Sequence, residues 1–302
     1  MKDTGRRVPP LRAATAAALL AVTAAGCGAD PDPSIFADRK KVRIGAKSDQ
    51  PGTSLERHAG DFDGLDIAVA RELLDRVGAE PPIFSGILSK NRAPALREGE
   101  VDLVVATFSV TAKRMLPVGE GGDGLDFVGP YASTQQGMLV RAADLERYRT
   151  LDDLNGRLVC VWKGTTSADE LRKPAYQAIR LREEEDAGYC VNALKAGEVD
   201  AVSTDQLILY GFMEAEPTLA VAPAIAFAET NDYGVAMAKG HREDCERLRD
   251  ALKKYVVSNE WDRDVENNLP RLPLERRNEA RPTEAEIDGV SCRDRPVGAP
   301  VG

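Results

Sequence analysis

The chain has 302 residues, 43% of them hydrophobic and 5% aromatic, and it carries a formal net charge of -9. This length accommodates two α/β domains of ordinary size. This acidic balance disfavours nucleic acid as the main partner, because phosphate binding needs a basic face. An acidic surface also keeps a protein soluble, so the charge by itself indicates no particular ligand.

Residues 1–26 have the pattern of a signal peptide, with three basic residues near the start and an apolar run at 11–25. The run is too short to span a bilayer, which takes roughly 20 residues. It ends at Cys27 in a sequence that resembles a bacterial lipobox, although Ala24 stands where Leu is usual. We therefore expect an extracytoplasmic protein that is lipid-anchored to the outer face of the membrane through Cys27. Plain secretion or a free thiol at Cys27 are the alternatives.

Residues 27–41 are rich in Asp and Pro and are interpreted as a tether. Short apolar strands then alternate with amphipathic helices. Strands are predicted at 42–45, 101–106, 137–141, 158–162, 199–203 and 233–237. Helices are predicted at 65–77, 91–98, 167–181, 206–214 and 245–257. This alternation is typical of an α/β protein whose parallel sheets are covered on both faces. Residues 271–302 lack a pattern and are expected to form a surface tail held by Cys292.

Export permits disulfides, and four cysteines remain after Cys27. They are Cys160, Cys190, Cys245 and Cys292. Four cysteines allow three pairings, and the residues alone leave these open.

Ligands of open α/β sheets bind beyond the carboxyl ends of the strands. The strand at 101–106 runs into a hydroxyl-rich loop in which Thr111 can cap a helix that carries Arg114. Free backbone N–H groups beside Arg114 favour an anion site. The alternative is that Ser109 and Thr111 are only caps and that Arg114 is a solvated charge.

Two further strand ends carry polar residues. The strand at 158–162 leads to Gly164, Thr165 and Thr166, which offer hydrogen-bond donors to a carboxylate. The strand at 199–203 leads to Asp205, a natural partner for an ammonium group. A helix N-cap is the alternative role for Asp205.

These segments resemble the amino-acid-binding family of bacterial solute-binding proteins that serve polar amino-acid ABC importers. The resemblance covers roughly residues 42–270. It is carried by the segments 64–78, 99–114, 164–166 and 197–205. The first looks like the family signature Gly-Phe-Asp-Val-Asp-Leu-Ala, with Ala68 in place of the second acid. The stretch 44–52 and the pair Cys160/Cys190 most resemble actinobacterial glutamate- and aspartate-binding lipoproteins.

The resemblance implies a periplasmic-binding-protein type II fold, with two α/β lobes joined by a two-stranded hinge. Lobe 1 would comprise 42–133 plus 231–270, and lobe 2 would comprise 134–230. The chain would cross between them near 131–136 and 227–233. The resemblance also implies a Cys160–Cys190 disulfide, which leaves Cys245–Cys292 as the second pair.

The resemblance further implies an amino-acid site. Arg114 would bind the α-carboxylate, and Asp205 would bind the α-ammonium. The remaining implied site residues are Thr107, Phe108, Ser109, Thr165 and Thr166. Neither a cofactor nor a metal ion is expected.

Two further cations, Lys47 after the first strand and Arg92 before the second, are expected to face the site. Three cations and one anion complement two carboxylates and one ammonium, and unpaired buried cations would be costly. Gln50 stands where relatives often have an aromatic residue, which argues against arginine or lysine. We therefore expect glutamate or aspartate, with asparagine or glutamine binding less tightly. The alternative for Lys47 and Arg92 is a solvated charge.

The expected function is the binding of an acidic amino acid by a monomer for an ABC permease. A sensor that signals to a membrane partner is the alternative. An enzyme is not expected, because the only two histidines, His58 and His241, lie outside the pocket segments and no nucleophile–base pair is visible.

Overall fold

The computed structural model describes residues 1–2, 5, 34–37 and 41–295. The predicted signal peptide and the lipidation of Cys27 lie outside the described residues. The chain divides into the units Met1–Pro31 and Asp32–Gly302, and every element below belongs to the second unit. No helix among the described residues is both long enough and apolar enough to cross a membrane.

Eight strands form one mixed sheet in the order β5-β1-β6-β11-β7-β10-β8-β9. Their bounds are β1 Arg43–Ala46, β5 Ile83–Gly86, β6 Leu103–Val104, β7 Leu125–Arg141, β8 Leu158–Trp162, β9 Arg180–Glu184, β10 Ala201–Asp205 and β11 Leu219–Ala238. We call the part of the fold around β5, β1 and β6 the β1 half, and the part around β10, β8 and β9 the β8 half. A separate antiparallel sheet in the β1 half contains β2 Asp49–Gln50, β3 Ser54–His58 and β4 Asp61–Asp63.

Two long strands, β7 and β11, run through both halves and pair with each other in antiparallel orientation. On one side of this pair β5, β1 and β6 pair in parallel, and on the other side β10, β8 and β9 do, as the alternation of strands and helices predicts. The long strands join these two sets by antiparallel pairing with β6 and β10. Only the ends of β7 and β11, at 137–141 and 233–237, were expected as strands. Polar residues at 133–136 and 229–232 interrupt the apolar pattern, and the register of the β7–β11 pair shifts nearby. The assignment of residue ranges to two lobes stays a prediction.

Helices cover the sheet. Their bounds are α1 Leu65–Arg76, α2 Arg92–Arg97, α3 Ala112–Met115, α4 Thr166–Leu171, α5 Ala187–Lys195, α6 Gln206–Ala215, α7 Arg242–Val256, α8 Asn259–Asn268, α9 Leu274–Ala280 and α10 Glu284–Val290. Helix α1 buries Leu65, Val69 and Leu73 on one face, and the chain leaves it through Gly78 at φ 73, as the glycine stop predicts.

The predicted helix at 167–181 is wrong in its length. Helix α4 ends at Leu171, and Pro174 begins a short 3₁₀ turn because it cannot continue the α-helical hydrogen bonding. The chain then forms edge strand β9, which pairs with β8. Charged residues fill β9, and they hide its strand character from a pattern of apolar residues.

The C-terminal tail is more regular than predicted, because it forms α9 and α10 as far as it is described. Thr283 and Glu286 form a capping box at the start of α10. Beyond α10, Ser291 hydrogen-bonds to the backbone of Gly129, and Cys292 N donates to Phe127 O at 2.8 Å. The tail is thus held at Cys292, as the sequence predicted, but it packs on β7 as folded helices.

Both expected disulfides are present. Cys160–Cys190 joins β8 to α5, and Cys245–Cys292 joins α7 to the segment after α10. Both pairings are confirmed.

Removing the second disulfide is expected to destabilise the protein. In the variant with Cys245→Ala and Cys292→Ala, a closed loop with a sequence separation of 47 is opened. The free energy of unfolding should fall by about 4 kcal/mol, because the unfolded chain regains conformational entropy. Urea unfolding measures this difference. A change within about 1 kcal/mol would show that the disulfide adds nothing to what the packing of α10 provides.

Candidate functional site

A small cavity lies between the two halves, at the carboxyl ends of the strands. The predicted site residues that line it are Arg92, Thr107, Ser109, Thr165, Thr166 and Asp205. The other lining residues are Gln50, Ser89, Trp162, Ser167, Thr204 and Ile208. Phe108 and Arg114 lie directly behind this lining, in contact with it.

Two buried arginines of the β1 half lie side by side. The guanidinium carbons of Arg92 and Arg114 lie 4.2 and 4.4 Å from the ring centroid of Phe108. Burial and the neighbouring Arg114 lower the pKa of Arg92 to about 9, and burial lowers the pKa of Arg114 to about 10. Both remain cations at neutral pH, so a desolvated positive charge is concentrated at the cavity.

The two arginines differ in how many donors they use within the described protein. Arg92 donates to the carbonyl oxygens of Ser89, Ala106, Thr107 and Gly164. Arg114 donates only to Ser109 O at 2.5 Å and Gly164 O at 3.3 Å. A guanidinium has five N–H donors. Arg114 therefore keeps the capacity for a bidentate bond to a carboxylate, whereas Arg92 contributes mainly charge and one remaining donor.

The backbone of Gly164 makes one of the contacts between the two halves. Its carbonyl oxygen accepts from Arg92 at 2.9 Å and from Arg114 at 3.3 Å, and both arginines belong to the other half. Its φ of 78° and its approach to Lys90 require glycine, because a Cβ here would lie 2.5 Å from Lys90 Cα. The backbone contact between the halves therefore depends on the absence of a side chain at this position.

The carboxylate of Asp205 is buried at the cavity wall. Its oxygens accept from Gln136 Nε2 at 2.7 Å, Asn231 Nδ2 at 2.8 Å and the Tyr233 hydroxyl at 2.8 Å. Asp205 occupies the N-cap position of α6, but its side chain makes no capping bond within the described chain. The alternative of a simple helix cap is therefore wrong. Burial raises the pKa of Asp205 to about 6, so it is predominantly ionised at neutral pH.

Thr107 adopts a φ of 46°, which is strained for a β-branched residue. The buried Asp66 holds it there, since Asp66 accepts from Thr107 N and from the Tyr131 hydroxyl, each at 2.8 Å. The hydroxyl oxygen of Thr107 lies 3.0 Å from Gln50 Oε1 and 2.8 Å from Ala106 O, and its single proton can be donated to either of these acceptors. Thr107 thus presents its hydroxyl at the cavity in a fixed position.

The loop after β8 brings the start of α4 to the cavity. Thr165 caps α4, because its hydroxyl accepts from Ala168 N, and it also donates to Trp162 O at 2.7 Å. Thr166 Oγ1 lies 3.4 Å from Ser109 Oγ of the other half. Among the described residues, Trp162 Nε1 has no hydrogen-bond partner, although the side chain is buried and lines the cavity.

The expectation that Lys47 faces the ligand needs correction. Its ammonium is buried, donates to Asp186 Oδ1 at 2.6 Å and lies 3.5 Å from Asp49 Oδ1. Lys47, like Arg114, does not itself line the cavity, but its charge is already paired with Asp186. Arg92 and Arg114 form no ion pair among the described residues, so of the three predicted cations these two keep a charge for a ligand.

Several polar residues that shape the site were missed by sequence reasoning. They are Gln136, Asn231 and Tyr233 around Asp205, Tyr131 with Asp66 behind Thr107, and Ser89 in the lining. The first group could have been found from the sequence, because polar residues recur where β7 and β11 cross between the halves. For Ser89, the sequence alone gives no such signal.

The fold and the site together define a ligand-binding protein whose cavity is shared by two α/β halves. The chain belongs to the bacterial extracellular solute-binding proteins, family 3, whose model matches residues 42–267. It is therefore an extracytoplasmic binding protein of amino-acid import with the type II periplasmic fold, and it is not an enzyme.

Individual relatives support this assignment. The chain is 31% identical to the glutamate-binding protein GluB of Corynebacterium glutamicum over 89% of this chain and 92% of that protein. It is 29% identical to the ABC transporter glutamine-binding protein GlnH of Bacillus subtilis, over 79% and 84% of the two chains. The arginine-bound structure of the amino-acid ABC transporter substrate-binding protein AbpA from Streptococcus pneumoniae matches with a TM-score of 0.68 and 25% identity, over 76% of this chain and 94% of that chain.

Proposed function

We propose that the protein binds an acidic amino acid, glutamate or aspartate, between two closing lobes and delivers it to an ABC permease. The observation that carries this proposal is the pair of buried arginines, Arg92 and Arg114, at a cavity whose lining, among the described residues, includes one carboxylate, Asp205. The similarity to a glutamate-binding protein supports the same ligand.

The roles proposed for the charged residues follow from their hydrogen bonds. Arg114, which keeps most of its donors, would bind the α-carboxylate together with the backbone N–H of Thr166 at the start of α4. Asp205 would bind the α-ammonium. Arg92 would complement the side-chain carboxylate, mainly through its charge.

The corrected count of charges still favours an acidic ligand. Two arginines and Asp205 leave one positive charge, which the net negative charge of glutamate or aspartate offsets. Asp66 lies behind Thr107, and burial raises its pKa to about 7, so at neutral pH it offsets the arginines only in part. Arginine, which some structural neighbours bind, would add a third cation to this cavity.

The proposed mechanism is closure of lobe 1 (42–133 plus 231–270) on lobe 2 (134–230) about the strands β7 and β11. A ligand that touches Arg114 in one lobe and Thr166 and Asp205 in the other stabilises the closed form through contacts that the open form cannot make. The permease would then recognise the closed form.

The proposed attachment to the membrane is a lipid on Cys27, with the protein acting as a monomer. Within the segment 27–41 that was predicted as a tether, Ser34 Oγ and Ile35 N donate to the two carboxylate oxygens of Asp244 in α7 at 2.7 and 2.6 Å. Only residues 28–33 separate Cys27 from Ser34. Such a segment spans at most about 25 Å, so the lipid would keep the α7 surface close to the membrane.

Calorimetric titration against the twenty common amino acids tests the ligand assignment. Glutamate or aspartate is expected to bind with a Kd near micromolar, about -8 kcal/mol, and asparagine and glutamine are expected to bind less tightly. Tight binding of arginine without a signal from either acidic amino acid would disprove the assignment.

Trp162 is expected to report ligand binding through its fluorescence. Its indole lines the cavity, whereas the second tryptophan, Trp261, is buried elsewhere and donates to Tyr131 O at 2.9 Å. The ligand-dependent emission change should disappear in Trp162→Phe and persist in the control Trp261→Phe. A signal that instead follows Trp261 would place the conformational response outside the cavity.

A further inference from the structure

A second set of charged contacts joins the two halves outside the cavity. Lys47 and Asp49 follow β1, whereas Asp186 and Gly188 lie at the start of α5 in the β8 half. Lys47 Nζ donates to Asp186 Oδ1 at 2.6 Å, and Gly188 N donates to Asp49 Oδ2 at 2.7 Å. Each half therefore supplies a donor and an acceptor to the other.

Burial makes these contacts specific to the arrangement in which the two halves touch. The side chain of Lys47 is 0% exposed, and those of Asp186 and Asp49 are 13% and 21% exposed. A buried ammonium needs both an anion and further acceptors, and here Ile87 O accepts at 3.2 Å. Separation of the halves would break the bonds to Asp186 and Gly188 and return these groups to water.

The carboxylate of Asp186 is held in position by contacts that do not involve Lys47. Asp186 caps α5 by accepting from Ala187 N at 3.0 Å, and the exposed amide ends of this nine-residue helix favour carboxylates. The Cys160–Cys190 disulfide ties α5 to β8. Movement of β8 relative to β1 is therefore transmitted directly to the Lys47–Asp186 contact.

We propose that Lys47, Asp49 and Asp186 form an interlobe latch that stabilises the closed form and so sets the affinity for every ligand, without contacting the ligand itself. This inference rests on the proposed clamp function. The neighbouring contacts of Glu185 with Lys90 and Lys163 are exposed, and contacts of that kind contribute little.

The test compares Lys47→Met, Asp186→Asn and the double variant. Asparagine retains the ability to cap α5, and methionine retains the packing volume of the lysine stem. Each single variant is expected to weaken glutamate and glutamine binding by the same factor, roughly 10-fold. The double variant should lose less than the product of the two single losses, because one contact is removed in both. Scattering of the ligand-free variants should give a larger radius of gyration than the unmodified protein gives.

Lys163→Met is the matched control, because it removes a lysine that pairs with Glu185 of its own half. It should change affinity by less than about twofold. A Lys47→Met variant that loses glutamate but keeps glutamine, with Asp186→Asn unaffected, would overturn the latch and make Lys47 a ligand contact. Unchanged affinity and unchanged radius in both single variants would also overturn it. If the unmodified protein bound no amino acid, the proposed function would fail, while the scattering comparison would still test the latch.

Discussion

Replacing Gly164 by alanine is expected to weaken amino-acid binding about 100-fold while the protein stays folded. The added Cβ would lie 2.5 Å from Lys90 Cα and 2.6 Å from Lys90 N. These are backbone atoms, so no side-chain rotation relieves the overlap, and the halves must stay apart. The Gly164 carbonyl would then also move away from Arg92 and Arg114.

An alanine at position 164 would also be strained by the positive φ, and this effect has to be distinguished from the steric overlap with Lys90. Gly197 provides the control, because its φ of 74° matches the 78° of Gly164 and an added Cβ there meets no atom within 4 Å. Both variants should show the same small loss of thermal stability. Only Gly164→Ala should lose affinity, measured by calorimetry, and ligand-dependent compaction, measured by scattering. Equal affinities in the two variants would contradict closure through this contact.

Replacing Arg92 by glutamine is expected to remove the preference for an acidic side chain. Glutamine can still donate to nearby carbonyl groups, but the positive charge is lost. Charge-assisted hydrogen bonds contribute roughly 1.5–3 kcal/mol, so glutamate affinity should fall about 100-fold. Glutamine affinity should fall less than about tenfold, because a neutral amide depends less on the charge of Arg92.

Lys113→Gln is the control for this prediction, since it removes one positive charge from an exposed position beside Arg114. It should leave both affinities within about twofold. Titrations of glutamate and glutamine into the two variants measure the ratio directly. Equal losses for both amino acids in Arg92→Gln would mean that Arg92 supports the cavity without contributing to ligand selection.

The sequence predicted those helices and strands that are determined by the residues of one continuous segment. Helix α1 follows from apolar residues spaced along one face and from the glycine stop at Gly78. Strand β8 and the turn at Gly164 follow from a short apolar run and a glycine. The helix predicted beyond Leu171 is wrong, because the helical pattern continued past Pro174, whereas the proline ends the helical hydrogen bonding.

Site residues that lie at the end of a predicted strand could be found from the sequence. Their hydrogen-bond partners, which come from distant segments of the chain, were harder to predict. Asp205 was found at the end of β10, but its donors Gln136 and Asn231 lie in strands whose polar stretches resemble loops. Lys47 was assigned to the cavity because no sequence pattern indicates Asp186, which lies 139 residues further along the chain. The ligand roles of the two arginines stay a prediction, whereas the assignment of Lys47 overlooked a partner that the structure supplies.

A crystal structure of the protein with bound glutamate tests the proposed ligand and its orientation together. We expect one glutamate in the cavity, with its α-carboxylate bonded to Arg114 and Thr166 N, its ammonium at Asp205 and its side-chain carboxylate next to Arg92. A glutamate bound elsewhere, or one whose side chain points away from Arg92, would contradict the proposed binding mode.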